Sequence, residues 1–383
     1  MPSNSLLLHR ILVRAALAGA HLFAWVFVFQ YFYVQQRSVS AAFVSVLLSY
    51  ALSHVIVVLL TPVSARRLRH GYRRSLTIST LALAASFAIL AAAFSGTLGD
   101  IPLGIALFAI CIGLYRAFYW APYAIAAEHS RVPRREWVEI AVALAPLAAG
   151  LYLTSGGAAF VALLYAAALL VAFAAAPLPY LQEAHEGFAW KYRETFHELF
   201  DSRRRSVFWS SFFSGAESAA LFILWPIAVF TFVDWSYPLL GAVMSLTLIF
   251  TLLAKKLFSG ALSTVPVRVQ PLVAASGWVM RLGASGFVGA VLVDTYFHTA
   301  SRSSQRGIDI SSYEHAADNS TFVDEYTALK EMAMGIGRIA LCLVCALLLS
   351  VFALPYAIAL SLLLAATAAG FSVYHALAER RAF

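Results

Sequence analysis

The stretch from Arg116 to Ser130 reads Arg-Ala-Phe-Tyr-Trp-Ala-Pro-Tyr-Ala-Ile-Ala-Ala-Glu-His-Ser, and it sets an arginine inside an apolar run long enough to cross a bilayer. Arg116, Tyr119 or Trp120, and Tyr123 recur at helical spacing, so they share one face. A charge at that depth is costly unless it meets partners or a water-filled cavity. A guanidinium fork suits a carboxylate or a phosphate. A second stretch, Arg306 to Ser320, lies on the first without a gap. Arg116 falls on Arg306, Tyr123 on Tyr313, Glu128 on Asp318 and Ser130 on Ser320. The match is either a chance likeness of two helix ends or the trace of a duplicated half whose equivalent helices meet at a central site.

His298, Arg302, Arg306, Asp309 and Tyr313 form one polar stripe at helical spacing. Such a stripe cannot face lipid. Glu217 is the candidate proton carrier, because burial and a nearby arginine act in opposite senses on a carboxyl proton. His21 aligns with Glu217 through Ala18-Gly19-Ala20-His21 and Ser214-Gly215-Ala216-Glu217, and joins it as a proton-coupling candidate. His21 reads equally as a packing residue. Glu331 and Arg338 lie two turns apart on one face and read as a gate pair. Tyr50 and His54 sit one turn apart. His54 and Arg281 are expected near membrane edges, where they snorkel. Trp25, Trp120 and Trp225 either line a pocket or pack. A competing reading of Arg116 ties it to backbone carbonyls or to Glu217 as scaffold.

The elements that hold these residues follow from composition. Of 383 residues, 61% are hydrophobic and only 12% charged, and mean hydropathy is +0.79. Soluble chains carry about a quarter charged residues. The gap excludes an ordinary soluble protein and predicts an all-α polytopic membrane protein. Twelve spans of about 20 residues use roughly 240 residues, which leaves short loops. The net charge of +8 sits in loops between apolar runs, so it reads as topology and not as nucleic-acid binding. Cys111, Cys342 and Cys345 lie inside apolar runs, so neither a disulfide nor a metal site is expected. No cofactor is expected.

The predicted helices cover 11–33, 41–61, 75–95, 102–127, 137–154 and 158–176. After an amphiphilic segment come 206–232, 237–257, 271–289, 292–316, 328–352 and 355–376. The expected organisation is a six-helix half at 1–180, a cytoplasmic linker at 181–205 and a second six-helix half at 206–383. The linker is either an amphipathic helix on the cytoplasmic leaflet or a plain polar connection. One set of loops holds Arg66, Arg67, Arg69, Arg73, Arg74, Arg131, Arg134, Arg135, Lys191, Arg193, Arg203 to Arg205, Lys255, Lys256 and Arg268. Both termini belong with that set through Arg10, Arg380 and Arg381, and the opposite loops hold only Arg37. Short basic loops stay in the cytoplasm, so both termini and the linker are expected there.

Twelve spans, two halves and a cytoplasmic linker resemble the major facilitator superfamily. Its signature after the second helix is Gly-x-x-x-Asp-Arg-x-Gly followed by basic residues. Here Arg69, Gly71, Arg73 and Arg74 fit, while Ser64 replaces the first glycine and Leu68 the aspartate. The resemblance implies a gating role for Arg69, Gly71 and Arg73. Ala145-Pro146-Leu-Ala-Ala149-Gly150 is similar to the Gly-Pro-x-x-Gly-Gly motif of the superfamily's proton antiporters, and helix packing by small residues explains it equally well. The Arg116 to Tyr123 run and the run from Glu325 to Arg338 resemble bacterial members of the superfamily. In that superfamily the first, fourth, seventh and tenth helices line the central path. Here those four carry most of the mid-membrane charge.

The expected function is a secondary transporter working by alternating access, coupled to protons and working as a monomer in a bacterial inner membrane. Its partners are the bilayer, a small solute and the proton. The expected solute site comprises Arg116, Tyr119, Trp120, Tyr123, Arg302, Arg306, Asp309 and Tyr313. Glu217 and Asp309 offset two of the three arginines at most, so one cation is left for an organic anion. Glu331 or a helix end neutralising the third arginine is the competing account. The alternatives are a transporter-like sensor or assembly protein and, further off, a membrane-embedded enzyme. No Gly-x-Ser-x-Gly, His-Glu-x-x-His or phosphate-binding Gly-rich loop occurs. Topology is testable with single cysteines. A cysteine at Ser38 is expected to label from outside and one at Ser202 only from inside. Equal labelling from outside at both sites overturns the twelve-span arrangement.

Overall fold

The computed structural model describes residues 2–130, 136–182, 188, 190–263, 266, 268–300 and 323–382. Long apolar runs become long helices, because a backbone in lipid must satisfy its own hydrogen bonds. Among the described residues, ten helices are long and apolar enough to cross a membrane. They are α1 (Asn4–Gln36), α2 (Val39–His70), α3 (Tyr72–Phe94), α4 (Ile101–Ala127), α5 (Trp137–Ser155) and α6 (Ala159–Tyr180). The short α7 (Tyr192–Leu199) follows. Then come α8 (Arg205–Phe232) and α9 (Tyr237–Ala254). The shorter α10 (Gln270–Met280) and α11 (Gly286–Ala300) precede α12 (Thr327–Val351) and α13 (Leu354–Leu377).

The turn between α10 and α11 lies earlier than the sequence predicts. The expected helices 271–289 and 292–316 give way to a stop at Met280, a 3-10 turn at Arg281–Gly283 and a new start at Gly286. Gly286 adopts φ +63°, which a side chain disfavours. Apolar residues on both sides of this turn hide it from a hydropathy reading.

Two helices widen at mid-length. Leu17–His21 in α1 and Ala220–Leu224 in α8 are π-helical turns. Pro226 follows the second, and a proline ring crowds the carbonyl four residues back, which a widened turn relieves.

Helix α2 packs on α4 and α12, α4 on α3, α8 on α12 and α13, α5 on α9, and α1 on α2 and α6. Close approach depends on missing side chains. A Cβ on Gly337 would overlap the Phe212 carbonyl, and one on Gly215 the Met334 backbone. Pro146 and Gly150 of α5 meet Gly241 and Tyr237 of α9 in the same way, so the motif-like run of α5 is a packing face. Arg14 grips Glu139 of α5 with two hydrogen bonds at 2.7 and 2.6 Å, and Arg10 lies 3.8 Å from the same carboxylate. Arg10 is therefore buried, not a loop charge.

Leu199 and Phe188 of the linker face protein, while Phe200 is exposed. Leu199 packs with Leu329, Met332 and Ala333 of α12, and Phe188 with Ala65 of α2 and Ala328. Gly215→Ala and Gly337→Ala are expected to lower unfolding stability by about 1–3 kcal/mol each, since the overlap is with backbone. Gly157→Ala, which meets nothing within 4 Å, serves as the neutral control. Thermal unfolding of the purified protein in detergent reads the difference.

Candidate functional site

Arg116 sits at mid-length in α4, and its partners come from two other helices. Tyr50 Oη of α2 accepts from Nη1 at 3.2 Å, and His54 Nε2, one turn on, accepts from Nη1 at 2.5 Å. His21 Nε2 accepts from Nη2 at 3.4 Å and from Trp25 Nε1 at 3.3 Å. The guanidinium lies 5.2 Å from the Tyr50 ring centroid. Arginine cannot accept, so the network assigns the Nδ1–H tautomer to both imidazoles. All three acceptors are neutral. Among the described residues no carboxylate lies within 4.0 Å of Arg116, so neither backbone nor Glu217 holds it. Its charge is solvated, not neutralised.

His54 is fully buried, and so is Arg281, so neither side chain snorkels to a surface. Arg281 is 1% exposed, and its Nε and Nη2 reach Asp294 Oδ1 at 2.9 and 2.7 Å. Its guanidinium lies 4.8, 4.1 and 4.1 Å from the rings of Trp225, Trp278 and Phe297. Trp225 Nε1 donates to the other Asp294 oxygen at 2.8 Å. Trp278 Nε1 donates to Glu217 Oε1 at 3.1 Å. Glu217 thus belongs to a closed acidic and aromatic cluster with α10 and α11.

Glu331 and Arg338 do not form an ion pair. Arg338 Nε donates to Ser218 Oγ at 2.8 Å, and both Glu331 oxygens are buried without a protein hydrogen-bond partner. Tyr119 and Tyr123 are buried and stack with centroids 5.3 Å apart, and Tyr119 also meets His9 at 5.8 Å. Trp120 is half-buried beside Tyr119 at 5.3 Å. Trp25 packs on Tyr50 and Phe108. Arg302, Arg306, Asp309 and Tyr313 lie outside the described residues, as does the second stretch from Arg306 to Ser320.

The basic loop after α2 has a local task. Arg69 donates to the Phe188 carbonyl, Tyr72 to that of Gln182, and Arg73 to that of Pro179 at 2.8 Å. Gly71 turns the chain at φ +94°. With leucine at the motif's acidic position, these donors bind backbone of the linker and of the end of α6.

Sequence reasoning missed Asp294 and expected Arg281 and His54 to snorkel, whereas both are buried. The available signal was the lone acid in Ala-Val-Leu-Val-Asp294-Thr, since an acid in an apolar run needs a cation.

No protein-family model matches this chain, and no curated protein matches it. Solved structures do. The nucleoside transporter NupG aligns with TM-score 0.60 at 16% identity, covering 99% of this chain and 98% of that one. A point mutant of the same transporter gives 0.60 at 15%, covering 98% and 100%. The peptide transporter POT, also as a point mutant, gives 0.59 at 11%, covering 99% and 94%. The likeness shows that this chain shares the fold of these two transporters along nearly its whole length.

The Arg281–Asp294 pair tests what buried charge does here. Removing one partner strands the other without water, at about 3–5 kcal/mol. Asp294→Leu is therefore expected to destabilise the protein by that order, and the double variant Arg281→Met with Asp294→Leu to recover most of the loss. Equilibrium unfolding in sodium dodecyl sulfate measures both. A neutral Asp294→Leu contradicts the account.

Proposed function

We propose that this chain is a secondary active transporter that moves a small organic anion by alternating access, coupled to protons. The observation that carries the reading is Arg116, a mid-helix arginine held by Tyr50, His54 and His21 with no carboxylate within 4.0 Å among the described residues. Three neutral acceptors orient the guanidinium and leave its charge for a ligand. A carboxylate or phosphate group supplies what the protein withholds. Half-buried Trp120 offers an apolar face nearby, and Arg302, Arg306, Asp309 and Tyr313 belong to the proposed site through the polar stripe of the sequence. Glu217, tied to Trp278, is the proposed proton carrier, with His21 beside Arg116.

The proposed architecture is twelve spans in two halves, 1–180 and 206–383, joined by the linker 181–205. The likeness to transporters along nearly the whole chain supports it. α10 and α11 supply two of the helices beyond the ten long spans. Both termini and the basic loops face the cytoplasm of a bacterial inner membrane, and the unit is a monomer. Arg69, Gly71 and Arg73 act in gating by strapping the linker and the end of α6 to the turn between α2 and α3.

The test is binding to purified protein of a panel containing carboxylates, organic phosphates, nucleosides, dipeptides and amines. Anionic members are expected to bind, and Arg116→Ala to weaken them at least tenfold, about 1.4 kcal/mol. If a cation binds instead, and binds Arg116→Ala as well, the anion reading fails. Accumulation in proteoliposomes of whichever member binds then separates transport from sensing.

A further inference from the structure

Seven charged side chains are buried among the described residues, and six have protein partners. Arg10 and Arg14 meet Glu139, Arg281 meets Asp294, Glu217 meets Trp278, and Arg338 meets Ser218. Glu331 is the exception. It is 4% exposed, neither oxygen has a protein donor among the described residues, and no cation lies within 4.0 Å. A bare carboxylate in such a place loses its hydration and gains nothing in return.

Its surroundings are specific. α12 lies directly on α2, and a Cβ on Gly335, one turn from Glu331, would press into Val58 with the His54 carbonyl beyond it. The charges that act on the Glu331 carboxyl are Arg338 of its own helix and Arg116 of α4. The same two arginines act on His54 of α2, and α8 presents Ser218 to Arg338. On the outer side of the seam the linker closes over α12 through Leu199, Met332 and Ala333. The carboxyl is thus enclosed where α2, α4 and α12 meet.

We infer that Glu331 is a proton-binding site on the α2–α12 seam, and that it shares Arg116 with the solute. In the arrangement described here the proton sits on a Glu331 oxygen and the side chain is neutral. Parting of α2 from α12 lets water reach it, and the proton leaves to that side. Arg116 and Arg338 then stabilise the carboxylate. An anion bound to Arg116 takes up the charge that would otherwise favour ionised Glu331. Anion and proton therefore promote each other's binding, and by linkage the effect is reciprocal. The consequence is co-transport of anion and proton in the same direction. This rests on the transport reading of Arg116 given above, and adds Glu331 to the proton path alongside Glu217.

Infrared difference spectroscopy of the purified protein reads the proton itself. At neutral pH the wild-type spectrum is expected to hold a protonated-carboxyl band that Glu331→Gln removes and Glu217→Gln keeps. Glu331→Asp restores the band at a shifted frequency, which separates loss of the carboxyl from loss of the fold. The band fades as the buffer is made alkaline. It persists to a more alkaline buffer in Arg338→Gln, where a stabilising cation is gone. A wild-type band that survives Glu331→Gln unchanged, or no band at all, overturns the assignment. The band requires no solute, so a failed solute panel and a missing band are separate results.

Discussion

A charge inside a bilayer-spanning bundle must be solvated by the protein, and this chain meets the requirement in two ways. Arg281 receives a carboxylate and three aromatic faces, so its charge is both neutralised and enclosed. Arg116 receives three neutral acceptors, so it is oriented with its charge intact. Breaking a buried ion pair costs several kcal/mol, which makes the first arrangement a fixed pin. Neutral hydrogen bonds to a charged donor contribute about 1.5–3 kcal/mol each, enough to aim a guanidinium without closing its chemistry. The two arginines have the same side chain and opposite uses, decided by what the neighbouring helices bring.

Packing puts those neighbours in place. Tyr50 and His54 reach Arg116 because α2 runs against α4, and α2 in turn carries α12. The glycines that let α12 close on α8 and α2 lie within two turns of Glu331 and Arg338. The helix with the tightest backbone approach is therefore also the one with a carboxyl that no donor among the described residues serves. A displacement of α12 would trade packing contacts for a change in electrostatics at the same place. The π turn that ends on His21 sits on the helix that completes the arginine's acceptor set, where a widened turn redirects side chains that regular spacing would aim elsewhere.

The spans were legible because bilayer thickness fixes a length and hydropathy reports it. Arg116 was legible for the same reason, as a charge with no business in lipid. Its partners were not. Tyr50, His54 and His21 lie 66, 62 and 95 residues away, and helical periodicity carries no information across helices. One boundary hides the Arg281–Asp294 pair: the apolar residues after Gly286 look continuous with those before Arg281, so a hydropathy reading sets the turn too late. The charge count behind the anion reading sets Glu217 and Asp309 against Arg116, Arg302 and Arg306 without saying which acid meets which arginine. Among the described residues Glu217 accepts from Trp278, and Arg116 meets neutral rings, so Arg116 is oriented by partners that a charge count does not include.

The basic loop after α2 shows how one set of residues serves two constraints. Arginines there are expected from topology alone, since short basic loops resist translocation. Arg69 and Arg73, with Tyr72, also hold the carbonyls of Phe188, Pro179 and Gln182, and α7 then lies across α2 and α12. Tyr192 adds a hydrogen bond to the Leu59 carbonyl at 3.2 Å. An acid at position 68 would offer these arginines a carboxylate within their own loop. Leucine does not, and it is buried, so the donors turn to backbone of the linker and of the end of α6. Any parting of α2 from α12 at that end must then strain or release the strap, which makes the linker part of the seam it crosses.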